Sequence, residues 1–476
     1  MAFLIGGANS AAETGFSVAN SCRFNSDAYL HKQLGTATNN KKCTASLWVK
    51  PAVSDTRNTF ISGGIDGGSY QKFRTANDSF SFYGNHASQN NLHIECNRKL
   101  RDPSAFYHVV IAFDSTQATS TNRIKLYVNG VQETSLNNAT YPAEDAICYF
   151  NAASTSDIFV GAFGRQDDTI GEQGEGYFAE VCVIDGQALT PTSFGEYSET
   201  TPNLWIPKDV SGLTFGNNGF YLDFEDSSNL GNDVNGGTDL TAVSLAAADQ
   251  ATDTPTNNFA TFNPLYNDTG GPISYSEGNT IATETANDWT SAHSTSGMYG
   301  GKFYWECKLA SFSGGSASYI GAASSDYPAT KMDSGSFLGQ DSASIGYYAS
   351  DGKVQKDGSD ATYGDSYGAG DIIGMALDLD NNFAYWAKNG TWQNSGDPTS
   401  GATGTGGVSL PSGMTSGLIL FSISPNESVM QANFGGSSGF AISSANSDGN
   451  SRGNFEYAVP SGYLSLCTLN LGSDGG

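Results

Sequence analysis

Hydrolysis of a glycosidic bond requires two carboxylates, one on either side of the bond. No pair of acids in this chain has the sequence spacing expected for such a pair. The candidate pair, Glu180 and Asp185 of the apolar segment GYFAEVCVIDG, is spaced wrongly for these roles. We interpret Glu180 as a strand-edge acid and Asp185 as a turn acid. No nucleophile elbow of a serine hydrolase is predicted. The histidines are scattered along the chain: His31, His86, His93, His108 and His293.

The chain also lacks the clustering of ligands that a metal site needs. Asp378, Asp380 and Asn382 resemble the start of a calcium-binding loop, but Phe383 stands at the sixth position, where such a loop needs glycine. We therefore predict a hairpin turn there. The cysteines lie far apart without a Cys-x-x-Cys pair, which argues against zinc. We expect all seven to be buried free thiols made in a reducing cytosol: Cys22, Cys43, Cys96, Cys148, Cys182, Cys307 and Cys467.

The elements that carry these side chains are predicted to be β-strands separated by turns rich in Gly, Asn, Asp and Ser. In NRIKLYVNGVQE (122–133), apolar Ile124, Leu126 and Val128 occupy alternate positions, which is typical of a strand with one buried face. The dipeptide Asn129-Gly130 then predicts a tight hairpin. A similar unit ends at Asn389-Gly390 in the second half of the chain. The best helical fragment, ALTPTSFGEY (188–197), is short.

Composition agrees with an all-β protein. The chain has 476 residues, of which 58 are glycine, 12% are aromatic and only 15% are charged. Aromatic residues at this level exclude a disordered chain, and long helix-forming stretches are absent. A net charge of −26 repels phosphate, so we expect no nucleic-acid partner. No apolar run is long enough for a transmembrane helix, and the N-terminus does not resemble a secretory signal.

Two segments resemble known domain families. YHVVIAFDSTQATSTNRIKLYVNGVQE (107–133), with GYFAEVCVIDGQALTPTSFGEY (176–197), is similar to concanavalin A-like (laminin-G-like) sandwiches. GKFYWECKL, YIGAA, IGYYASDGK, GAGDIIGMALDLDNNFAYWAKNG and QANFG, in this order, resemble a SPRY domain. Between them, NNGFYLDFED and DTPTNNFATFNPL resemble a linker of marine bacteriophage structural proteins, as does the closing FEYAVPSGYLSLCTLNL.

The resemblance implies a non-enzymatic virion structural protein, most simply a tail fibre or a head fibre or appendage that displays lectin-like domains for host recognition. The expected partners are other virion proteins, contacted through the N-terminal arm, further copies of the chain (a trimer by analogy), and a glycan or protein of the host surface. We expect no membrane insertion, and a location in the virion after synthesis in the host cytoplasm.

The resemblance also suggests where ligands bind. SPRY domains bind through loops at one end of the sandwich, and loop-like stretches at 324–333, 360–371 and 389–397 carry aromatic residues flanked by turn residues. We name Tyr327, Tyr363, Tyr367 and Trp392 as candidate ligand or partner contacts. No catalytic residue and no cofactor is expected. Binding of calcium at the rim of the first sandwich is left as an alternative, and the candidate ligands are Asp157, Asp167 and Asp168.

The predicted fold is all-β, with two antiparallel jelly-roll-like β-sandwiches joined by a partly packed connector. The predicted division is an arm at 1–20, a concanavalin A-like sandwich at 21–200, a connector at 201–270, a SPRY sandwich at 271–440 and an extension at 441–476. Two alternatives to the recognition role remain. One is a virion-associated carbohydrate-active enzyme such as a capsule depolymerase, and the other is a capsid decoration protein without a receptor.

Overall fold

The computed structural model describes residues 15–52, 57–86, 89–152, 156–167, 169–266, 273–313, 318–327 and 335–473. The chain divides into two compact units. The N-terminal unit is Glu13–Thr256, and the C-terminal unit includes Asn257–Gly476. In both, strands make up almost all of the regular secondary structure, which confirms the predicted fold class.

Twenty strands and three short 3₁₀ helices are described in the N-terminal unit. The strands are β1 (Ser21–Phe24), β2 (Tyr29–Gln33), β3 (Lys42–Pro51), β4 (Arg57–Asp66), β5 (Ser69–Ala76), β6 (Ser79–His86), β7 (Gln89–Lys99), β8 (Tyr107–Asp114), β9 (Ile124–Val128), β10 (Val131–Gln132), β11 (Leu136–Thr140), β12 (Asp157–Val160), β13 (Phe163–Gly164), β14 (Ile170–Gly171), β15 (Gly176–Asp185), β16 (Gly195–Tyr197), β17 (Trp205–Pro207), β18 (Phe220–Leu222), β19 (Thr241–Val243) and β20 (Gln250–Ala251). The 3₁₀ helices are Ser120–Asn122, Pro191–Ser193 and Ala247–Asp249.

Most of these strands form two antiparallel sheets that enclose one apolar core. Sheet 1 has the order β10-β9-β8-β3-β15-β1-β20, with β18 also paired to β15. Sheet 2 has the order β11-β7-β6-β5-β4-β12-β2-β19. Alternate side chains from both sheets, such as Val109 and Ile111 of β8 and Phe80 and Phe82 of β6, meet in the core. This is the alternation that a β-sandwich requires.

The predicted Asn129-Gly130 hairpin is present. Both residues have positive φ, 46° and 80°, and they join β9 to β10. The predicted helical fragment 188–197 contains only one 3₁₀ turn, and its last residues form β16, which pairs with β17. The fragment is too short for a stable α-helix, because forming the first turn costs more free energy than the hydrogen bonds of a few further residues recover.

The expectation that every cysteine is a free thiol is wrong for two of the seven. Cys43 of β3 and Cys148 form a disulfide that spans 105 residues of chain. The sequence distance hides this pair, because the fold returns the segment before β12 to the start of β3. The remaining five cysteines are free and buried, as expected: Cys22, Cys96, Cys182, Cys307 and Cys467.

The predicted connector, 201–270, is not a separate linker over most of its length. Strands β18, β19 and β20 lie within it and pair with β15, β2 and β1. Phe220, Leu222 and Phe224 lie in the core of the N-terminal unit. The division between the two units falls at Thr256 and Asn257 instead of at residue 200.

Fifteen further strands, three 3₁₀ helices and one α-helix are described in the C-terminal unit. The strands are β21 (Ser274–Ser276), β22 (Ile281–Glu284), β23 (Ala292–His293), β24 (Lys302–Phe312), β25 (Tyr319–Ser324), β26 (Ser344–Tyr348), β27 (Lys353–Lys356), β28 (Ser359–Thr362), β29 (Ile372–Asp378), β30 (Phe383–Lys388), β31 (Thr391–Trp392), β32 (Val408–Ser409), β33 (Ile419–Ser424), β34 (Ser428–Asn433) and β35 (Leu464–Ser465). The helices are α1 (Thr468–Ser473) and the 3₁₀ helices Gln393–Ser395, Pro398–Thr403 and Ser412–Met414.

These strands form a second sandwich. Sheet 3 has the order β21-β22-β34-β24-β29-β30-β31, with β32 on β30 and β35 on β24, and sheet 4 has the order β23-β33-β25-β26-β27-β28. Their core contains Trp305, Trp386 and Phe421. Asp378 is buried beside Lys302, at 2.9 Å, and accepts the backbone N–H of Asn381, so the segment that resembles a calcium loop is the β29–β30 turn.

The predicted C-terminal extension, 441–476, packs on the C-terminal unit. The buried carboxylate of Glu306 in β24 accepts the backbone N–H groups of Glu456 and Tyr457 at 2.9 and 2.8 Å. Strand β35 also pairs in parallel with β24. Within the described residues, no helix has the length and apolar character needed to span a bilayer.

Candidate functional site

A polar and aromatic surface lies on the side of sheet 2 that points away from the core of the N-terminal unit. In β5, the core side chain Phe73 is flanked by Lys72 and Arg74, which therefore point to the opposite side. The same alternation places Tyr83 of β6 and His93 and Glu95 of β7 on that side. We call this surface the tyrosine face and define it by Tyr70, Lys72, Arg74, Tyr83, His93 and Glu95.

Strand register brings these side chains together in rows. Lys72 lies opposite Tyr83, and Tyr83 lies opposite His93. In the next row, Arg74 lies opposite Ser81, which lies opposite Glu95. Directly opposite residues in an antiparallel pair have Cβ atoms about 5 Å apart, so each row forms continuous contacts.

Two tyrosine rings form the apolar part of the face. Tyr70 and Tyr83 are partly exposed, and their ring centroids are 6.2 Å apart. His93 stands edge-on to Tyr83 at 5.3 Å and lies 3.0 Å from Glu95, measured from Nε2 to Oε2. Burial and the neighbouring Tyr83 raise the pKa of Tyr70 to about 12, so its hydroxyl stays protonated at neutral pH.

A cluster of cations borders the tyrosines. The Glu172 carboxylate, which follows the β13–β14 hairpin, contacts Arg57 at 3.1 Å, Lys72 at 2.9 Å and Arg74 at 2.6 Å. Burial opposes ionisation of Glu172, but the hydrogen bond from Lys72 and the charges of Arg74 and Lys72 hold its pKa below the usual value. The Lys72 ammonium also lies 3.7 Å from the ring centroid of Phe163. Such a contact is a cation–π interaction.

The tyrosine face is absent from the sequence predictions, although a local signal exists. The segment SYQKFRTANDSFSFYGNH alternates aromatic or basic residues with core residues on both sides of Asn77-Asp78, where both φ values are positive. That pattern predicts a hairpin with one polar face. It does not show that Glu172, almost one hundred residues later, joins the same surface.

Three of the predicted contact aromatics are buried, which corrects the expectation that they offer exposed rings. Tyr327, Tyr363 and Tyr367 are 2%, 5% and 5% exposed. Their hydroxyls are used inside the sandwich. Tyr367 donates to the carbonyl of Tyr347 at 2.8 Å, and Tyr363 accepts the N–H of Trp386 at 3.1 Å. A ring enclosed in this way cannot stack on a sugar.

Trp392 keeps partial exposure. It lies in β31, opposite Ala387, and packs at the edge of a cluster that includes Tyr304 and Tyr385. Elsewhere in the C-terminal unit, an open cavity of about 310 Å³ lies between the β27–β28 hairpin and β32 and is lined by Val354, Asp360 and Val408 among others. Of the predicted loops, residues 328–333 lie outside the described residues.

The aspartates named for calcium do not converge in the part of the chain that is described. Asp157 begins β12. Asp167 is exposed, lies 3.3 Å from Arg165 and accepts the N–H of Thr169, which is the bonding of a turn residue. Asp168 lies outside the described residues. No group of three or more His, Cys, Asp or Glu side chains is placed to hold a metal ion within the described ranges.

The two acids considered for catalysis have separate structural surroundings. Asp185 is buried and accepts the N–H groups of Thr38 and Asn218 at 2.7 and 3.1 Å. Glu180 is 6% exposed and accepts the hydroxyl proton of Tyr221 at 2.7 Å. Burial raises the pKa of Glu180 to about 8. A substrate cannot reach a carboxyl that is enclosed to this extent.

Gly-x-Ser-x-Gly spacing occurs at 364–368 and at 435–439. The first segment leads into β29 and the second follows β34. A nucleophile elbow is a strand-to-helix turn, and neither segment is followed by a helix in the described structure. The motif spacing is thus present in the sequence, but neither described segment has the strand-to-helix geometry of a nucleophile elbow.

Two family models match the chain, one in each unit. The model described as the concanavalin A-like lectin/glucanases superfamily matches residues 24–192. The SPRY domain model matches residues 302–409. The comparison with curated proteins gave no match.

Several solved structures are similar to parts of the chain. The SPRY domain of human HERC1 is 15% identical, with 36% of this chain and 96% of that chain covered at a TM-score of 0.28. A native heptameric SAP-like pentraxin from Limulus polyphemus is also 15% identical, with 37% of this chain and 80% of that chain covered and a TM-score of 0.28. A human SPRY domain is 14% identical over 34% of this chain and 93% of that chain, with a TM-score of 0.25.

Both matched domains are of types that usually bind other molecules without catalysis. The matches lie inside the two sandwiches described above and agree with the two resemblances found in the sequence. The chain thus combines a concanavalin A-like domain with a SPRY domain.

Proposed function

We propose that this chain is a non-enzymatic recognition protein of a phage virion, a tail fibre or a head fibre or appendage, and that its tyrosine face binds a host-surface glycan. The observation that carries the glycan part is the partly exposed Tyr83, surrounded by the polar groups of Arg74, His93 and Glu95 on one sheet. The virion part is supported by the resemblance of 217–265 and 455–471 to segments of phage structural proteins.

The chemistry of the face suits a sugar ring. An aromatic ring offers a flat apolar surface for the C–H groups of a pyranose, and planar charged groups beside it bond pairs of hydroxyls. Glu95 is itself held by Asn137, whose amide donates at 2.8 Å. A side chain fixed in this way loses less freedom when a ligand binds, so more of the contact energy appears as affinity.

The C-terminal unit is proposed as a second binding module. Partial exposure of Trp392 and the open cavity beside the β27–β28 hairpin support a contact with a host or virion protein. The N-terminal arm, predicted as residues 1–20, is proposed to join the particle through residues 1–14, which lie outside the described residues. Val18, by contrast, is buried in the N-terminal unit beside Trp48 and Trp205. Three copies of the chain are proposed in one fibre. No cofactor is part of the proposal. Gold-labelled antibodies on intact particles, viewed by electron microscopy, test the location.

Binding of a glycan panel by the purified chain tests the recognition role. Tyr83→Ala should weaken binding of the recognised glycan about tenfold, since stacking and ring burial are lost. Tyr197→Ala is the matched control, because Tyr197 is 51% exposed and belongs to the separate β16–β17 pair. Equal affinity of the Tyr83 variant and the unaltered chain would contradict a role for this face.

The alternative of a capsule depolymerase has one observation behind it, the raised pKa of Glu180, which is a property of catalytic acids. The burial of Glu180 argues against it. Release of new reducing ends from host envelope polysaccharide would overturn the non-enzymatic proposal.

A further inference from the structure

The cation cluster beside the tyrosine face has more positive than negative charge. Arg57, Lys72 and Arg74 share the single carboxylate of Glu172. Three positive groups and one negative group give the cluster a net charge of +2, or +1 when Glu95 of the tyrosine face is counted, in a chain whose total is −26. An excess of this sign attracts an anionic ligand at short range and is screened by salt.

One hydrogen-bond donor of the cluster has no acceptor. Arg74 is 6% exposed, and its Nε is buried without a hydrogen-bond partner. Its cross-strand neighbour Thr59 is fully buried, and the Thr59 hydroxyl also has no hydrogen-bond partner. Both atoms are enclosed, so a ligand does not reach them, and their unmet hydrogen bonds add to the cost of burying Arg74 beside Glu172.

Glu172 shows which chemical group the cluster accommodates. Its carboxylate accepts from Lys72 and Arg74 through one oxygen and from Arg57 through the other. Burial lowers the pKa of Lys72, although the Glu172 carboxylate opposes this change. The charged form of Lys72 is therefore incompletely stabilised, and a second carboxylate nearby would stabilise it further. Glu172 has a φ of 43°, a strained value for a residue with a Cβ, which agrees with a position imposed by its surroundings.

Arg57 is the accessible member of the cluster. Its side chain is 63% exposed, whereas those of Lys72 and Arg74 are 6% and 8% exposed. It can therefore turn toward a ligand while the other two hold Glu172. The guanidinium of Arg74 lies 5.2 Å from the ring centroid of Tyr83, so the cluster and the sugar-stacking surface are continuous.

We infer that the ligand of the tyrosine face is an acidic saccharide, with its sugar ring on Tyr83 and its carboxylate bound by the exposed Arg57 at the border of the cation cluster. This inference rests on the proposed glycan-binding function and deepens it by naming the substrate class. A carboxylate-bearing sugar supplies both the apolar ring face and the anion that the surface accommodates.

Calorimetric titration with tetragalacturonate and with its methyl ester separates charge from shape, because the two probes share one sugar backbone. Tetragalacturonate should bind at least about fivefold more tightly than the ester, and 0.5 M salt should remove most of the difference. Arg57→Gln should weaken tetragalacturonate binding about threefold to fivefold and leave ester binding unchanged. Lys208→Gln is the matched control, since it removes one exposed charge whose partner is Glu196, outside sheet 2.

Glu172→Gln adds a second test, because it raises the local net charge and should tighten tetragalacturonate binding. Should this variant fail to fold, the Arg57 variant still decides the question. Equal affinity for both probes overturns the inference and leaves glycan recognition standing. Binding of neither probe also overturns it, and the glycan panel with the Tyr83 variant then shows separately whether recognition itself fails.

Discussion

Two buried ionisable side chains of the N-terminal unit, His108 and Glu180, have hydrogen-bond partners inside the fold. His108 is fully buried between Ser46 and Trp205, at 2.9 Å from each. The indole N–H can only donate, so Nδ1 of His108 accepts and the ring is neutral. Burial lowers the pKa of His108 to about 3, which keeps it neutral above that pH. Its role is therefore to join strands.

Glu180 leads to a prediction about stability and pH. Because burial raises its pKa from 4.5 to about 8, its contribution to stability is complete below pH 4.5 and is lost as the pH rises through 8. Glu180→Gln keeps an acceptor for Tyr221 and cannot ionise. The variant should therefore lose less stability than the unaltered chain between pH 5 and pH 9, by an amount on the order of a few kcal/mol.

Urea denaturation at both pH values measures this difference. Glu199→Gln is the control, because Glu199 is an exposed acid elsewhere in the N-terminal unit. Identical pH dependence of the Glu180 variant and the unaltered chain would show that Glu180 does not titrate in the expected range.

At the scale of elements, ion pairs fix the end of the N-terminal unit to its sheets. Lys50 of β3 lies 2.8 Å from Asp253, and both side chains are 1% exposed. Arg23 of β1 lies 3.0 Å from Asp249. These pairs hold the segment around β20 against sheet 1, which explains why a stretch rich in polar residues packs instead of forming a linker.

Asp253→Ala should destabilise the chain by about 3–5 kcal/mol, because it leaves the Lys50 ammonium buried without its carboxylate. Lys41→Ala is the matched control. Its partner Asp145 lies at the same distance of 2.8 Å, but the two side chains are 40% and 59% exposed, so the expected loss is below about 1 kcal/mol. Urea midpoints measure both, and similar losses for the two variants would be evidence against a special role for the buried pair.

At the scale of the whole molecule, the position of the boundary between units has consequences for truncated chains. A chain of residues 1–256 retains the full set of strands of the N-terminal unit, whereas a chain of residues 1–200 lacks β17 to β20. The shorter chain also loses core residues Phe220, Leu222 and Phe224 and leaves β15 without β18.

We expect residues 1–256 to unfold cooperatively on heating and residues 1–200 to lack a cooperative transition, because the core side chains lost from the shorter chain contribute about 2 kcal/mol or more apiece. Circular dichroism during thermal denaturation compares the two. A cooperative transition of the shorter chain would instead support the sequence-predicted end of the first sandwich at residue 200.

Much of the fold was predictable because strands and hairpins are local. Alternation in NRIKLYVNGVQE and the turn at Asn129-Gly130 predict β9 and β10 closely. The boundary of the N-terminal unit was not predictable in this way. Alternation in NGFYLDFED predicts β18, but β19 and β20 are three and two residues long, and partners distant in sequence stabilise them, not a pattern of their own.

Local sequence thus determined the all-β class and the main strands, because a period of two residues and turn chemistry act between near neighbours in the chain. The two domain types were indicated by the resemblance of its segments to known families. Tertiary structure alone decided that Cys43 meets Cys148, that Tyr327, Tyr363 and Tyr367 are enclosed, and that Glu172 reaches Arg57, Lys72 and Arg74. Alternation shows which side chains share a face of one strand. It does not show which strands become neighbours or which face another segment covers, since these depend on contacts between residues far apart in the chain.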